Sequence, residues 1–236
     1  MFAARAALMA GGALPLRTKP TLIDASYSAS NNYSQNVTIP AHVSGDIIVI
    51  MTISNHSTQA AKPTAGGTVP NWTLITSAST ASGVYPKSQL FYATATSSTT
   101  TSGSFTVAGG YNIYLMAFVV RNGSATGGNA LAFSTATTGN NATITPPAVT
   151  LSNLRGDSLL IHGVMAYDST ASPVIYQAGT AGYTYGATFG SVGYSRGALA
   201  TKNDTTADGS FNYGYVTAGQ FGGMCNSFSL EILPVG

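Results

Sequence analysis

Two Gly-Asp pairs, each opening into an apolar run, constrain this chain more than any other feature. They are Gly45-Asp46-Ile47-Ile48-Val49-Ile50-Met51 and Gly156-Asp157-Ser158-Leu159-Leu160-Ile161. A tight polar turn followed by a short apolar segment marks a strand buried on both faces. Two such signals in 236 residues predict two similar halves, each built around its own central strand. A third apolar stretch, Tyr111 to Arg121, places Tyr114, Met116, Phe118 and Val120 on one face and Leu115, Ala117 and Val119 on the other. Both faces are apolar, which again suits a central strand.

Composition argues against helix. Charged residues make up 7% of the chain, against roughly 25% in an ordinary soluble domain. Ser, Thr, Asn and Gly take their place, and these residues favour strands and turns. After Thr21 the pattern is β throughout. Leu22-Ile23, Val37-Thr38-Ile39, Trp72-Thr73-Leu74-Ile75, Leu90 to Thr96 and Ser104 to Val107 read as strands in the first half. Leu131-Ala132-Phe133, Thr143-Ile144-Thr145, Arg196 to Thr201 and Asn226 to Leu233 follow in the second, the last with Phe228, Leu230 and Ile232 inward and Glu231 outward. Residues 76–88 read as a loop and Gly123 to Gly128 as a flexible connector. Trp72, the single tryptophan, reads as a core aromatic closing one end.

The halves repeat in order. Gly45-Asp46 matches Gly156-Asp157 at an offset of 111, and Gly103-Ser104-Phe105 matches Gly209-Ser210-Phe211 at 106, with Ala93-Thr94-Ala95 opposite Leu199-Ala200-Thr201. The expected architecture is all-β: an antiparallel, jelly-roll-like β-sandwich of two sheets over 21–236, pseudo-duplicated with halves of about 21–122 and 123–236.

Residues 1–20, MFAARAALMAGGALPLRTKP, stand apart. Ala3 to Met9 has the composition of two helical turns, stopped by Gly11-Gly12 and Pro15. A signal peptide is the competing reading, but Arg5 lies inside the apolar stretch, Gly11-Gly12 interrupts it, and Arg17 and Lys19 follow closely. The expectation is an N-terminal arm that docks on a partner, with Phe2, Arg5, Leu8, Met9, Leu14 and Leu16 as its contact residues.

The same inventory narrows the partners. Net charge is +2 and the nine Lys and Arg are scattered, so no nucleic-acid footprint exists. No run approaches the roughly 18 apolar residues of a membrane-spanning helix, so no membrane insertion is expected. Cys225 is the only cysteine and has no intrachain partner. A weakly charged surface is poorly protected against association, which favours a homo-oligomer or a larger assembly.

The motif order carries a resemblance. The Gly-Asp run, Pro70-Asn71-Trp72-Thr73-Leu74-Ile75, Leu90-Phe91-Tyr92-Ala93-Thr94-Ala95, Phe105-Thr106-Val107 and Ala117-Phe118-Val119-Val120-Arg121-Asn122-Gly123 resemble bacteriophage virion proteins that carry β-sandwich modules on head or tail. Related modules occur in bacterial surface proteins. The resemblance spans most of 21–233 and implies a structural or adhesive role on the virion surface, among other capsid or tail proteins, with no known chemistry.

No catalytic constellation competes with that expectation. The acids are Asp24, Asp46, Asp157, Asp168, Asp204, Asp208 and Glu231, and the two that follow glycine suit turns in which Asp bonds its own backbone. Asp204 and Asp208 are too few to hold calcium. His42, His56 and His162 lack metal-ligand spacing, and no Gly-x-Ser-x-Gly elbow is present. Seven Asn-x-Ser/Thr sequons follow from composition alone. No enzyme activity, cofactor or metal is therefore expected. The Gly- and Tyr-rich stretch of 168–195 is the one alternative: Tyr176, Tyr183, Tyr185 and Tyr194 have the composition of an adaptable surface for a host glycan. That reading belongs to an adhesin or a secreted or cell-surface glycan-binding module.

Overall fold

The computed structural model describes residues 17–30, 34–54, 62–64, 67–79, 87–99, 103–108, 113–135, 142–153, 155–167, 174–177, 184–189, 195–203, 213–216 and 224–236. The first half contains β1 (Thr21–Ser30), β2 (Ser34–Ile39), β3 (Ile47–Ser54), β4 (Thr73–Ser79), β5 (Lys87–Thr94), β6 (Gly103–Ala108) and β7 (Ile113–Arg121). The second contains β8 (Gly123–Thr135), β9 (Ala142–Ile144), β10 (Leu159–Tyr167), β11 (Val174–Gln177), β12 (Thr184–Phe189), β13 (Ser195–Asn203), β14 (Tyr213–Val216) and β15 (Met224–Pro234). No helix occurs among the described residues.

Each half forms its own five-stranded antiparallel sheet. The orders are β1-β7-β3-β5-β4 and β12-β13-β10-β15-β8, and the second read backwards repeats the first, strand for strand. The smaller sheets repeat too: β2 pairs with β6, and β9 with β14, with β11 added beyond β14. The pairing of β1 with β7 and of β2 with β6 is nested, the ribbon arrangement of a jelly roll. The two Gly-Asp turns feed β3 and β10, the middle strand of each large sheet. Gly45 and Gly156 stand at φ 90 and 77, a region that only glycine enters without steric cost.

The large sheets face each other. Ile47, Val49, Met51, Leu90, Met116, Phe118 and Val120 from the first meet Leu159, Ile161, Leu199, Phe228, Leu230 and Ile232 from the second in one core. At its middle the rings of Phe118 and Phe228 stack at 5.9 Å and 2°. Gly163 is what admits Phe228: a Cβ there would stand 2.1 Å from the ring. β1 lies against β12 and β13, and β4 lies against β8, so the halves are related by an approximate two-fold. The expected two-sheet sandwich is thus only the centre. The opposite face of the first sheet (Ile48, Ile50, Phe91, Ile113, Leu115 and Val119) packs against Val37 and Ile39 of β2 and against Trp72 in a second core. Trp72 is 6% exposed, and its indole donates to Thr64 O at 3.2 Å. On the second sheet, Leu160 packs with Val149 and Leu151 from the segment after β9.

Several sequence expectations are corrected. Gly123 to Gly128 is the start of β8, paired with β15 from Pro234 inward, and its glycines answer close approach, not flexibility. A Cβ at Gly123 would meet Ile232 at 2.7 Å, and one at Gly128 would meet Thr150 O at 1.9 Å. β4 runs to Ser79 and β5 begins at Lys87, so both ends of the expected 76–88 loop are strand. Glu231 lies on the face opposite Leu230 and Ile232 but is fully buried, because the segment around Ser152 covers that face. The halves also align differently from the sequence repeat. Met51 faces Leu90 and Gly163 faces Leu199, so Leu90, not Ala93, is the counterpart of Leu199. Gly209 to Phe211 lies outside the described residues.

Candidate functional site

Antiparallel pairing of first and last strands brings four strand ends to one corner. Thr21 opens β1 opposite Arg121, the last residue of β7, and Gly123 opens β8 opposite Pro234 near the end of β15. A single residue, Asn122, joins the halves. Its φ of 60 is left-handed, a conformation asparagine tolerates better than most side chains. Asn122 O accepts from Val235 N at 3.1 Å, Ser124 Oγ donates to Pro234 O at 2.8 Å, and Thr18 bridges to Val235. Residues 1–16 therefore join the body beside the C-terminal strand and the seam between the halves.

An ion pair fixes this corner. Arg121 Nε donates to Asp46 Oδ1 at 3.1 Å and Nη2 to Oδ2 at 3.0 Å, a bidentate clasp, while Val43 N donates to Oδ2 at 2.9 Å. The Asp46 side chain is 2% exposed and that of Arg121 38%. The hydrogen bond to Asp46 holds the guanidinium above its ordinary pKa; desolvation opposes this and the carboxylate charge reinforces it. Three exposed apolar residues belong to the segments that meet here: Ile23 (39%), Val43 (40%) and Val235 (46%). Ile23 is two residues from Thr21 on a bulge of β1, Val43 bonds the carboxylate that holds Arg121, and Val235 bonds Asn122. The fourth exposed large hydrophobic among the described residues, Leu74, lies apart on β4.

Most of the sequence-predicted site residues lie outside the described residues. Phe2, Arg5, Leu8, Met9, Leu14 and Leu16 lie outside the described residues, which begin at the root of their segment. Tyr183 and Tyr194 also lie outside. Tyr176 stands in β11 opposite Gly214, Tyr185 in β12 opposite Ala200, and the two strands touch.

Glu231, Asp157, His42 and His162 are each engaged within the fold. Glu231 sits at a bulge, facing Gly127 and Gly128. Its Oε2 accepts from Gly128 N at 2.8 Å and Ser152 N at 2.6 Å, and its Oε1 from Asn153 N at 3.1 Å and Ser158 Oγ at 2.9 Å. Asp157 accepts from the Asn153 side chain. Buried His42 contacts Pro40 O at 2.9 Å and Thr68 Oγ1 at 2.6 Å. His162 Nδ1 is 2.7 Å from Ser229 Oγ, whose proton goes to Pro147 O. Burial, helped by the charge of Lys202, draws His162 down to about 4. Ser229 is fully buried, so this Ser-His contact is no accessible nucleophile. Cys225 is buried as well, and burial pushes its thiol far above the usual range. No group of three or more metal-ligating side chains occurs among the described residues.

Sequence reasoning missed the Asp46–Arg121 clasp and the Glu231 cage. The first left no signal, since the partners are 75 positions apart. The second left a faint one: a lone Glu in an otherwise apolar final strand, and an adjacent glycine pair earlier in the chain. Comparisons with protein-family models, curated proteins and solved structures returned no match for this chain.

Proposed function

We propose that this chain is a structural protein of a bacteriophage particle, exposed on the particle surface as a capsid decoration, fibre-base or tail component, and that its N-terminal segment anchors it there. The observation that carries the reading is the root of the N-terminal segment: apolar residues 1–16 lead into Thr18, which pairs with the exposed Val235 just past β15. The rest of the body supports it. Two jelly-roll halves share a large apolar core and carry little charge, a combination suited to burial among like neighbours, where neutral hydrogen-bonding groups cost less to desolvate than charges. The resemblance of the strand motifs to virion β-sandwich modules points the same way. No catalysis, cofactor or metal enters this reading.

The test is deletion of residues 1–16, leaving the Thr18–Val235 bridge intact. The expected product keeps the circular dichroism of the full chain but no longer associates with particles in sedimentation or negative-stain imaging. Undiminished association of the truncated chain refutes the anchor.

A second reading, a glycan-binding adhesin, is favoured by one observation. β11 has no counterpart among the described residues of the first half, and it sets Tyr176 on a strand that touches the strand of Tyr185. Tyr176→Ala and Tyr185→Ala are then expected to weaken cell or glycan binding while leaving the melting temperature unchanged. Unaltered binding removes these residues as a site.

A further inference from the structure

We propose that Asn122, the single residue joining the halves, is a site of covalent self-modification: it deamidates in the folded chain through a cyclic imide closed by the Gly123 amide.

The fold demands a reactive pair at this joint. Asn122-Gly123 is the only Asn-Gly pair in the chain. A one-residue link here takes a left-handed φ, 60 at Asn122, which asparagine tolerates. Gly123 has no room for a side chain, since a Cβ there would stand 2.7 Å from Ile232 and 3.1 Å from Ile47. With no Cβ on the following residue, nothing shields its backbone nitrogen from the asparagine carboxamide.

The hydrogen bonding leaves both reacting groups available. Proline has no N–H, so Gly123 and Pro234 cannot exchange two bonds and form a non-hydrogen-bonded pair. The bond from Val235 N to Asn122 O, at 3.1 Å, is one that flanks such a pair. The Gly123 N–H therefore points away from β15, and β8 is the last strand of its sheet. Among the described residues, none hydrogen-bonds the Asn122 side chain. Asn122 is only half-buried, so water reaches it.

The reaction needs water and hydroxide alone. Gly123 N gives up its proton and attacks Asn122 Cγ, the new N–C bond closes a five-membered imide, and Nδ2 leaves as ammonia. Water then opens the ring. Attack at Cγ gives aspartate; attack at the main-chain carbonyl carbon gives isoaspartate, whose backbone runs through Cγ and is one carbon longer. In the isoaspartate, the carbonyl that accepts from Val235 N is cut out of the main chain as a free carboxylate. Val235 also bridges to Thr18, so chemistry at the joint reaches the root of the N-terminal segment.

The full-length chain, native and in guanidinium chloride, is incubated in mildly alkaline buffer and mapped by peptide mass spectrometry, with isoaspartate labelled by an isoaspartyl methyltransferase. An amide held in a ladder must first break its bond, which slows attack by about tenfold. Native Asn122 is therefore expected to convert at a rate within about tenfold of the unfolded one. Exposed Asn36, Asn71 and Asn203, each followed by a residue with a side chain, should lag it by about tenfold or more. Asn122→Gly suits the left-handed φ and lacks the carboxamide. It is expected to keep the hydrogen-exchange protection of Val235 N that the wild-type chain loses as it ages. Native Asn122 that stays intact while the unfolded chain converts overturns the proposal, as does equal conversion of Asn36, Asn71 or Asn203. Equal loss of Val235 protection in Asn122→Gly overturns the stated effect on the C-terminal strand.

Discussion

Glu231→Gln replaces one acceptor in a carboxylate that takes four hydrogen bonds while fully buried. The amide oxygen has one good place, the Oε2 position, because both donors there are backbone N–H groups that cannot turn away. The NH2 then faces Asn153 N–H and Ser158 Oγ. The serine hydroxyl can rotate and accept, but the Asn153 amide is left donor to donor. One charge-assisted bond is lost, roughly 1.5–3 kcal/mol, and the surviving bonds weaken as the charge disappears. A neutral side chain is cheaper to bury, which returns part of this. The net expectation is a loss of about 2–3 kcal/mol for Glu231→Gln. Glu231→Ala orphans three backbone donors and costs more, on the order of 5 kcal/mol. Urea unfolding followed by the fluorescence of Trp72 is the assay. Trp72 is the only tryptophan, lies in the first half, and is 6% exposed. With a denaturant slope of about 2.5 kcal/mol/M, the midpoint for Glu231→Gln should fall by about 1 M. A shift below about 0.3 M refutes the assignment of the cage as a main support. Glu231 is in the other half, so the reporter also tests the shared core. If circular dichroism shifts while Trp72 does not, the halves unfold separately and the common core is not cooperative.

Gly163→Ala forces a methyl to within 2.1–2.9 Å of the Phe228 ring and should disturb its stack on Phe118. Overpacking of this kind costs about 1–3 kcal/mol, a fall in Tm of roughly 3–10 °C, and an unchanged Tm refutes the close fit. His162 is drawn down by burial to about 4, so the native state keeps the ring neutral while the unfolded chain binds a proton below about 6.5. Stability is therefore whole above that pH and declines as pH falls from about 6.5 to about 4, by up to roughly 3 kcal/mol. His162→Gln should flatten that stretch of the profile, and an equally steep acid slope in the variant would count against the assignment. Cys225 is buried with its thiol pushed well above the ordinary range. It should ignore Ellman's reagent in the native chain and react fully in urea, and native-state reactivity would contradict its place in the core.

What could be read in advance followed from local pattern. The Gly-Asp turns located both central strands because a buried strand needs apolar residues on two faces, and few other segments of this chain supply them. The Tyr114–Val120 alternation divided correctly into the inter-sheet face and the β2 face. What escaped depends on groups far apart in the chain. Gly123 to Gly128 has the composition of a linker, yet each glycine that misled is there because Ile232, Glu231 or Thr150 stands where a side chain would go. Glu231 was placed outward by period-two logic, which assigns a face but not what covers it. The Gly-Asp repeat aligns Asp46 with Asp157, whereas strand pairing aligns Asp46 with Ser158: Ile47 faces Val120 where Leu159 faces Ile232. One inserted serine shifts the register of the match and changes the polar partner, from an Arg121 clasp at Asp46 to a Glu231 hydrogen bond at Ser158. The candidate corner was legible only as an odd N-terminal composition, since it forms where strand ends distant in the chain are paired.

The approximate two-fold separates scaffold from function. Elements that repeat in both halves, the large sheets and their nested hairpins, bury one another and leave no surface unique to either. A duplicated unit gains a specific role where the copies differ, because there a partner meets one surface and not its image. Two differences stand out. The first half begins with an apolar segment tied in at Thr18, while the second begins at Gly123 with nothing before it but Asn122. The second half adds β11 to its small sheet, in the tyrosine-rich stretch, where the described residues of the first half have the β2–β6 pair alone. These are the two places proposed for anchoring and for glycan contact, and they belong to opposite halves. Losing one function by mutation should accordingly spare the other: chains lacking residues 1–16 should retain whatever binding Tyr176 and Tyr185 provide, and Tyr176→Ala chains should still join their neighbours.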